Sequence, residues 1–220
     1  MSPSVEAENR KTIIDYATIN GYILYERPGS IRVIGMDPLV NSTIFDMASA
    51  GREFRLHIPS KKRFMIGDNQ APAVSKNKLE NLRPSAFLDA MILHPPDESS
   101  EFSLVQDSAD DTPPRYTLFV AGGEPKMPRL LRSFTFNPYT LEITGQNIFG
   151  SSGAVASIVA YASWENFGGI LFPTDIEIRR PRENYEVRIR VLEMKMNSNA
   201  VTPSKFVLEQ PAGTTLRRLP

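Results

Sequence analysis

The chain has 220 residues with 25 basic and 25 acidic side chains, so its formal net charge is zero. No long-range field steers it to polyanions, which excludes nucleic acid as a first expectation. With 41% hydrophobic and 23% charged residues it lies in the ordinary globular range, where one domain of this length buries roughly 70% of its unfolded surface.

There is no cysteine, which removes disulfides, thiolate metal ligands and thiol nucleophiles together. The opening run MSPSVEAENRK is polar, with neither an apolar signal core nor a cleavage site. Residues 1–10 are expected to be disordered, and 1–220 to form a single domain. The longest mainly apolar stretch, 153–164, falls short of the roughly 18 to 20 residues that span a bilayer as a helix.

Prolines and glycines punctuate short apolar runs, the pattern of many strands joined by turns. A first strand is expected over 12–25, where β-branched and aromatic residues dominate, and Pro28-Gly29 is expected to make a type II turn. Strands follow at 31–36, 43–49, 53–58 and 63–66. In 53–58 the alternation is sharp: Phe54, Leu56 and Ile58 share one face, and Glu53, Arg55 and His57 the other.

One segment has helical spacing. Phe87, Leu88, Met91 and Ile92 predict a helix over 84–93, started by Pro84 and stopped by His94-Pro95-Pro96. Asn77 and Glu80 have the spacing of a capping box for a short preceding turn. The acidic stretch 95–114 is expected to be a loop excursion with one short strand. Further strands are expected at 115–121, 130–136, 141–148, 154–164, 170–179 and 185–196, with an edge strand at 205–209. Short connections imply an antiparallel meander.

Catalytic equipment is sparse. His57 and His94 are the only histidines, one in an expected strand and one at a helix end. The acidic cluster Asp97, Glu98, Glu101, Asp107, Asp110 and Asp111 has the character of a solvated loop and lacks calcium-loop spacing. Gly122-Gly123 and the 150–153 run lack the helix and lysine of a phosphate loop. The expectation is no catalytic residue, no metal site, no cofactor and no enzyme. The loop Asp37-Pro38-Leu39-Val40-Asn41 stands out because it places Leu39 and Val40 at a turn; the alternative is that both fold back onto the core.

The run SIRVIGMDPLVNSTIFDMASAGREFRLHIPSKKRFMIG, followed by ENLRPSAFLDAMIL, resembles the LolA/LolB-like lipoprotein-sorting superfamily. The resemblance covers most of the chain and rests on the order of its turns, strands and helix. It implies a mainly β (α+β) fold: a curved antiparallel half-barrel meander with a helical lid over an apolar cavity. Lid candidates are Phe87, Leu88 and Met91, and cavity candidates Phe45, Met47, Phe54, Leu56, Ile58 and Phe64, each with plain core packing as its alternative.

The resemblance also implies membrane contact through Leu39, with Val40 standing where the LolB-like branch commonly has glycine. Expected partners are acyl chains or lipoproteins, with peripheral membrane contact, in the periplasm or at the periplasmic face of the outer membrane. The export signal and first elements usual in such proteins are not found in the chain, which is expected to start inside the domain. The rival expectation is a non-catalytic structural or interaction module that uses the same fold to bind envelope protein partners.

Overall fold

A computed structural model describes residues 18–69, 78–108, 110–124 and 126–219. The expectations for residues 1–10, for the first part of the 12–25 strand and for Asn77 lie outside them. The described chain forms two open sheets and one α-helix.

The first sheet holds β1 (Asn20–Glu26), β2 (Ser30–Met36), β3 (Thr43–Ala50), β4 (Glu53–Ile58) and β5 (Arg63–Asp68) as an antiparallel meander. The second holds β6 (Glu101–Ser108), β7 (Arg115–Gly122), β8 (Arg129–Phe136), β9 (Ile143–Phe149), β10 (Val155–Phe167), β11 (Ile170–Arg180) and β12 (Tyr185–Arg190), again each beside its sequence neighbour. Between the sheets in sequence comes α1 (Pro84–Met91), preceded by a 3-10 turn at Lys78–Asn81. The expected antiparallel architecture with a covering helix is therefore present, as open sheets and not as a closed barrel.

Alternation decides what each strand buries. Phe54, Leu56 and Ile58 of β4 are fully buried, while Glu53 is exposed and Arg55 and His57 are partly so. Ile31 and Val33 of β2, Phe45 and Met47 of β3 and Met65 of β5 face the same way, and they meet Val159, Tyr161, Ile176, Ile178 and Tyr185 of the second sheet together with Leu82, Phe87 and Ala90. The core thus lies where α1 packs against β2, β3 and β11. Gly35 is needed here: a Cβ would sit 2.5 Å from the ring of Phe45.

Four expectations need correction. The β1–β2 turn is not type II: the Arg27–Pro28 bond is cis and Gly29 has no positive φ. The strand expected over 185–196 ends at Arg190, while the one strand expected in the acidic excursion is β6, eight residues long at the edge of the second sheet. The 205–209 segment is not a strand, because Pro203–Phe206 is a 3-10 turn that lies on the outer face of the first sheet. Its carbonyls are already taken there by side chains: Arg32 Nη1 donates to Lys205 O (2.7 Å) and Arg55 Nη1 to Leu208 O (3.1 Å).

The actual edge strand is β13 (Thr215–Arg218), which pairs with β5 in parallel. The fourth correction concerns Phe64. It packs on the outer face with Ala48 and Leu208, opposite to Met65, so it belongs to a second small core and not to the face beneath α1.

Candidate functional site

Helix α1 is a weakly specified helix held by its packing. No side chain caps its N-terminus, no acidic residue lies in its first turn and no basic residue in its last, and eight residues are too few for a helix stable on its own. What fixes it is the buried face of Pro84, Ala86, Phe87 and Ala90. One hydrogen bond adds to this: Tyr161 Oη of β10 donates to the Ala90 carbonyl oxygen (2.7 Å) in the last turn. Tyr161 Oη also lies 2.9 Å from the side-chain amide oxygen of Gln146. Burial raises the Tyr161 phenol above its ordinary pKa, so it stays protonated and able to donate.

Two clefts flank this tether. The first, about 140 Å³, is apolar and half open, and is lined by Ala90, Met91 and Leu93 from the helix and its exit and by Tyr161, Trp164, Leu171, Phe172 and Pro173 from the β10–β11 hairpin. At about 30 Å³ per water-sized group it has room for four or five. Tyr161 and Trp164 meet with ring centroids 6.4 Å apart and planes tilted by 51°. The second cleft, about 160 Å³, is polar and lined by Asp89, Ile92, His94, Leu131, Arg132, Gln146 and Ile148.

Replacing Tyr161 by phenylalanine is expected to loosen the end of α1 while keeping its packing. Loss of one buried hydrogen bond lowers stability by about 1–2 kcal/mol, and amide exchange in Ala90, Met91 and Ile92 should rise first. Unchanged exchange there would show that packing alone seats the helix.

Of the sequence-derived lid candidates, Phe87 is buried in the core, Leu88 is partly buried beside Gly29, and Met91 lines the apolar cleft. Of the cavity candidates, Phe45, Met47, Phe54, Leu56 and Ile58 come together in the buried core beneath α1. Sequence reasoning missed Tyr161, Trp164, Leu171, Phe172 and Pro173. The lone tryptophan in an aromatic hairpin was the available signal.

The loop 37–42 presents Leu39 at 90% and Val40 at 72% exposure, so neither folds back onto the core. Asp37 Oδ1 accepts the backbone N–H of both (2.9 and 3.1 Å), its carbonyl accepts Asn41 N–H, and Asp37 N–H closes onto Ser42 O. A second loop repeats this. Asn137 Oδ1 takes Tyr139 and Thr140 N–H, its carbonyl takes Leu141 N–H, and Asn137 N–H closes onto Glu142 O. Tyr139 and Leu141 are exposed at its tip, and Leu141 (φ 59°) occupies the left-handed position that Asn41 (φ 53°) fills in the first loop.

Three of the acidic residues of 97–111 have structural partners. Asp97 accepts from Ser99 and Ser100, which hold its carboxyl below its usual pKa, Ser100 contributing most. Glu101 pairs with Arg132 and Asp111 with Arg115. Among the described residues, no three His, Asp or Glu side chains gather in a way that could hold a metal ion, and no helix is long and apolar enough to cross a membrane.

No family model and no curated protein matches the chain. Among solved structures it is similar to a domain of a provisionally assigned outer membrane lipoprotein-sorting protein from Vibrio parahaemolyticus, at 8% identity and a TM-score of 0.50, covering 86% of this chain and 80% of that one. A LolA-superfamily protein from Nitrosomonas europaea is similar over 86% of this chain and 81% of its own, at 15% identity and a TM-score of 0.49. The likeness to the Vibrio domain is one of fold alone, and in this chain that fold is an open, helix-covered antiparallel architecture.

Proposed function

We propose that the protein is a lipid-handling carrier of the cell envelope that takes the end of an acyl chain into the cleft between α1 and the β10–β11 hairpin. The observation that carries this is the half-open apolar cleft roofed by a weakly specified helix. Its mouth continues outward through Ile170 and Leu171, both exposed, so a tail would find apolar surface before it enters. Each methylene buried there contributes about 0.8 kcal/mol. A chain longer than the cleft needs α1 to yield, and a helix held mainly by one apolar face can do so without breaking an extended hydrogen-bonded ladder. The periplasm, or the periplasmic face of the outer membrane, is the compartment that this reading implies.

Trp164 is the only tryptophan and lines the cleft, so its emission reports occupancy directly. Decanoate or a lysolipid should change it saturably. Leu171→Arg, at the exposed mouth, should leave thermal stability within about 0.5 kcal/mol and weaken the response at least tenfold. No saturable response in the parent protein, or an equal response in the variant, would reject the cleft as the acyl site.

Leu39 and Val40 are proposed as the membrane-touching tip. Their backbone N–H groups already have an acceptor in Asp37, so the tip can leave water without orphaning them. One leucine contributes only about 1.5–3 kcal/mol, enough for transient contact. Leu39→Glu should reduce co-sedimentation with neutral phospholipid vesicles and leave the melting temperature unchanged. Unaltered vesicle binding would remove this loop from the account.

A second reading has its own observation. Strand β6 is the edge of the second sheet and exposes Phe102, Leu104 and Val105, an edge that can accept a strand from an envelope protein partner. Cross-linking at Phe102 to a strand-donating protein, with no acyl binding at Trp164, would favour it.

A further inference from the structure

A deeply buried charge lies at the other end of α1. Arg83, the residue before Pro84, is 2% exposed and has the largest fully buried side chain among the described residues. Its guanidinium carbon sits 4.5 Å from the centroid of the Phe54 ring, and Nη1 donates to the carbonyl oxygens of Glu80 and Leu82, both at 2.9 Å. Nε and Nη2 have no acceptor.

The β11–β12 hairpin brings a second guanidinium into the same region. Arg180 donates through Nη2 to Glu183 Oε1 (2.7 Å) and through Nη1 to Ser157 Oγ (2.8 Å), while its Nε has no acceptor. Glu183 Oε2 is likewise buried without a partner, and the Tyr185 hydroxyl meets the backbone of Arg83. Arg83 lies within electrostatic reach of Tyr185, Glu183 and Arg180, and Asn81 Nδ2 ties the hairpin to the turn before α1 by donating to Glu183 O (3.2 Å).

Two guanidiniums therefore share one carboxylate, and the free positions are mostly N–H donors. Asp89 also feels Arg180, but among the described residues no hydrogen bond joins it to either arginine. Buried donors without acceptors cost free energy, and native interiors supply them with water or a ligand. A ligand that presents only acceptors and one negative charge matches this set best.

We propose that Arg83, Arg180 and Tyr185 seat the oxyanionic head group, carboxylate or phosphate, of an amphiphile whose tail runs beneath α1 to the Trp164 cleft. This rests on the acyl-binding reading of that cleft and names the class of its ligand. Eight residues of helix separate the two ends, about 12 Å, which an extended acyl chain of about ten carbons spans. The head would displace no existing ion pair, because the Arg180–Glu183 bond uses other atoms than the free Nε.

The test is calorimetric titration of the full chain with decanoate, decyl phosphate and decanol. The anions should bind at least about tenfold more tightly than the alcohol, the worth of one hydrogen bond to a charged group, and the tighter of the two identifies the head. Tyr185→Phe, which removes the hydroxyl and keeps the ring, should weaken the anions severalfold and leave decanol unchanged. Arg83→Met, which keeps the contact with Phe54, should abolish the preference for anions; if it does not fold, Tyr185→Phe and the three ligands still decide.

Equal binding of decanol and the anions would overturn the head-group site and leave the acyl cleft standing, with water filling the polar cluster. A preference for anions indifferent to both substitutions would place the head elsewhere and overturn it too. Binding of none of the three would overturn the site and the carrier reading together.

Discussion

Phe87→Ala should lower the free energy of unfolding by about 3–5 kcal/mol, the usual cost of emptying a buried phenylalanine site. The size follows from how α1 is held. Its ends lack side-chain caps and favourable charges, so nearly all of its stability comes from the face that Phe87 dominates, packed among Leu82, Ala90 and the inward side chains of both sheets. The loss should be uneven. Amide exchange in α1 should approach local-unfolding rates while β3 and β4, whose buried residues keep one another as neighbours, remain protected. Decanoate should then stabilise the variant more than the parent, because the ligand fills volume that the ring vacated. A loss under about 1 kcal/mol in denaturant unfolding, well below the usual range, would mean that α1 is fixed by something other than its packing.

Asp89→Asn is expected to raise stability at neutral pH, which is unusual for loss of a charge. Asp89 faces the polar cleft on α1, where burial pushes its carboxyl up to about 6 against the opposing pull of Arg180, His94 and Arg132. A folded-state pKa above the unfolded value means that the folded protein binds this proton more tightly. Its contribution is fully present below about pH 4 and is lost as pH rises through about 6. Carrying a carboxyl from about 4 to about 6 disfavours its ionised form by on the order of 2 kcal/mol once solvent screening is allowed for. The variant should exceed the parent by that amount at about pH 8, and the advantage should fade between about pH 6 and 4. A constant difference across that range would show that Asp89 titrates normally. The consequence for α1 is directional: above about pH 6 the helix carries an ionised, poorly solvated carboxylate and is easier to lift.

Much of the sheet was legible because a strand announces its burial by alternation. Phe54, Leu56 and Ile58 declare the inner face of β4 unaided, and the helix at 84–91 is marked by Pro84 and the spacing of Phe87 and Met91. Segments buried on both sides defeat that logic. In β5, Phe64 and Met65 are both buried, on opposite faces, and only the strap around Phe206 and Leu208 decides which face Phe64 serves. That strap is distant in sequence, and apolar residues in it read as a strand although Arg32 and Arg55 occupy its carbonyls.

The cleft was hidden for a related reason. Tyr161 and Trp164 are three residues apart and both line it, which strict alternation forbids. Ser163 between them has φ of 57° and breaks the period. The head-group cluster was hidden by charge: Arg180 and Glu183 resemble the wet face of a hairpin until the structure buries them against Arg83. The recurrence of the 37–42 loop at 137–142 was also invisible, since the two share little beyond a short amide or carboxylate side chain followed by proline. What makes them equal is the hydrogen bonding of Asp37 and Asn137.

The most direct measurement of an acyl tail beneath α1 uses Trp164 as its reporter. Dodecanoate brominated at the terminal carbon should quench Trp164 strongly and saturably, while the isomer brominated next to the carboxyl, its head held near Arg83, should bind equally well and quench weakly. Equal quenching by both isomers, or none by either, would contradict a tail seated in the cleft.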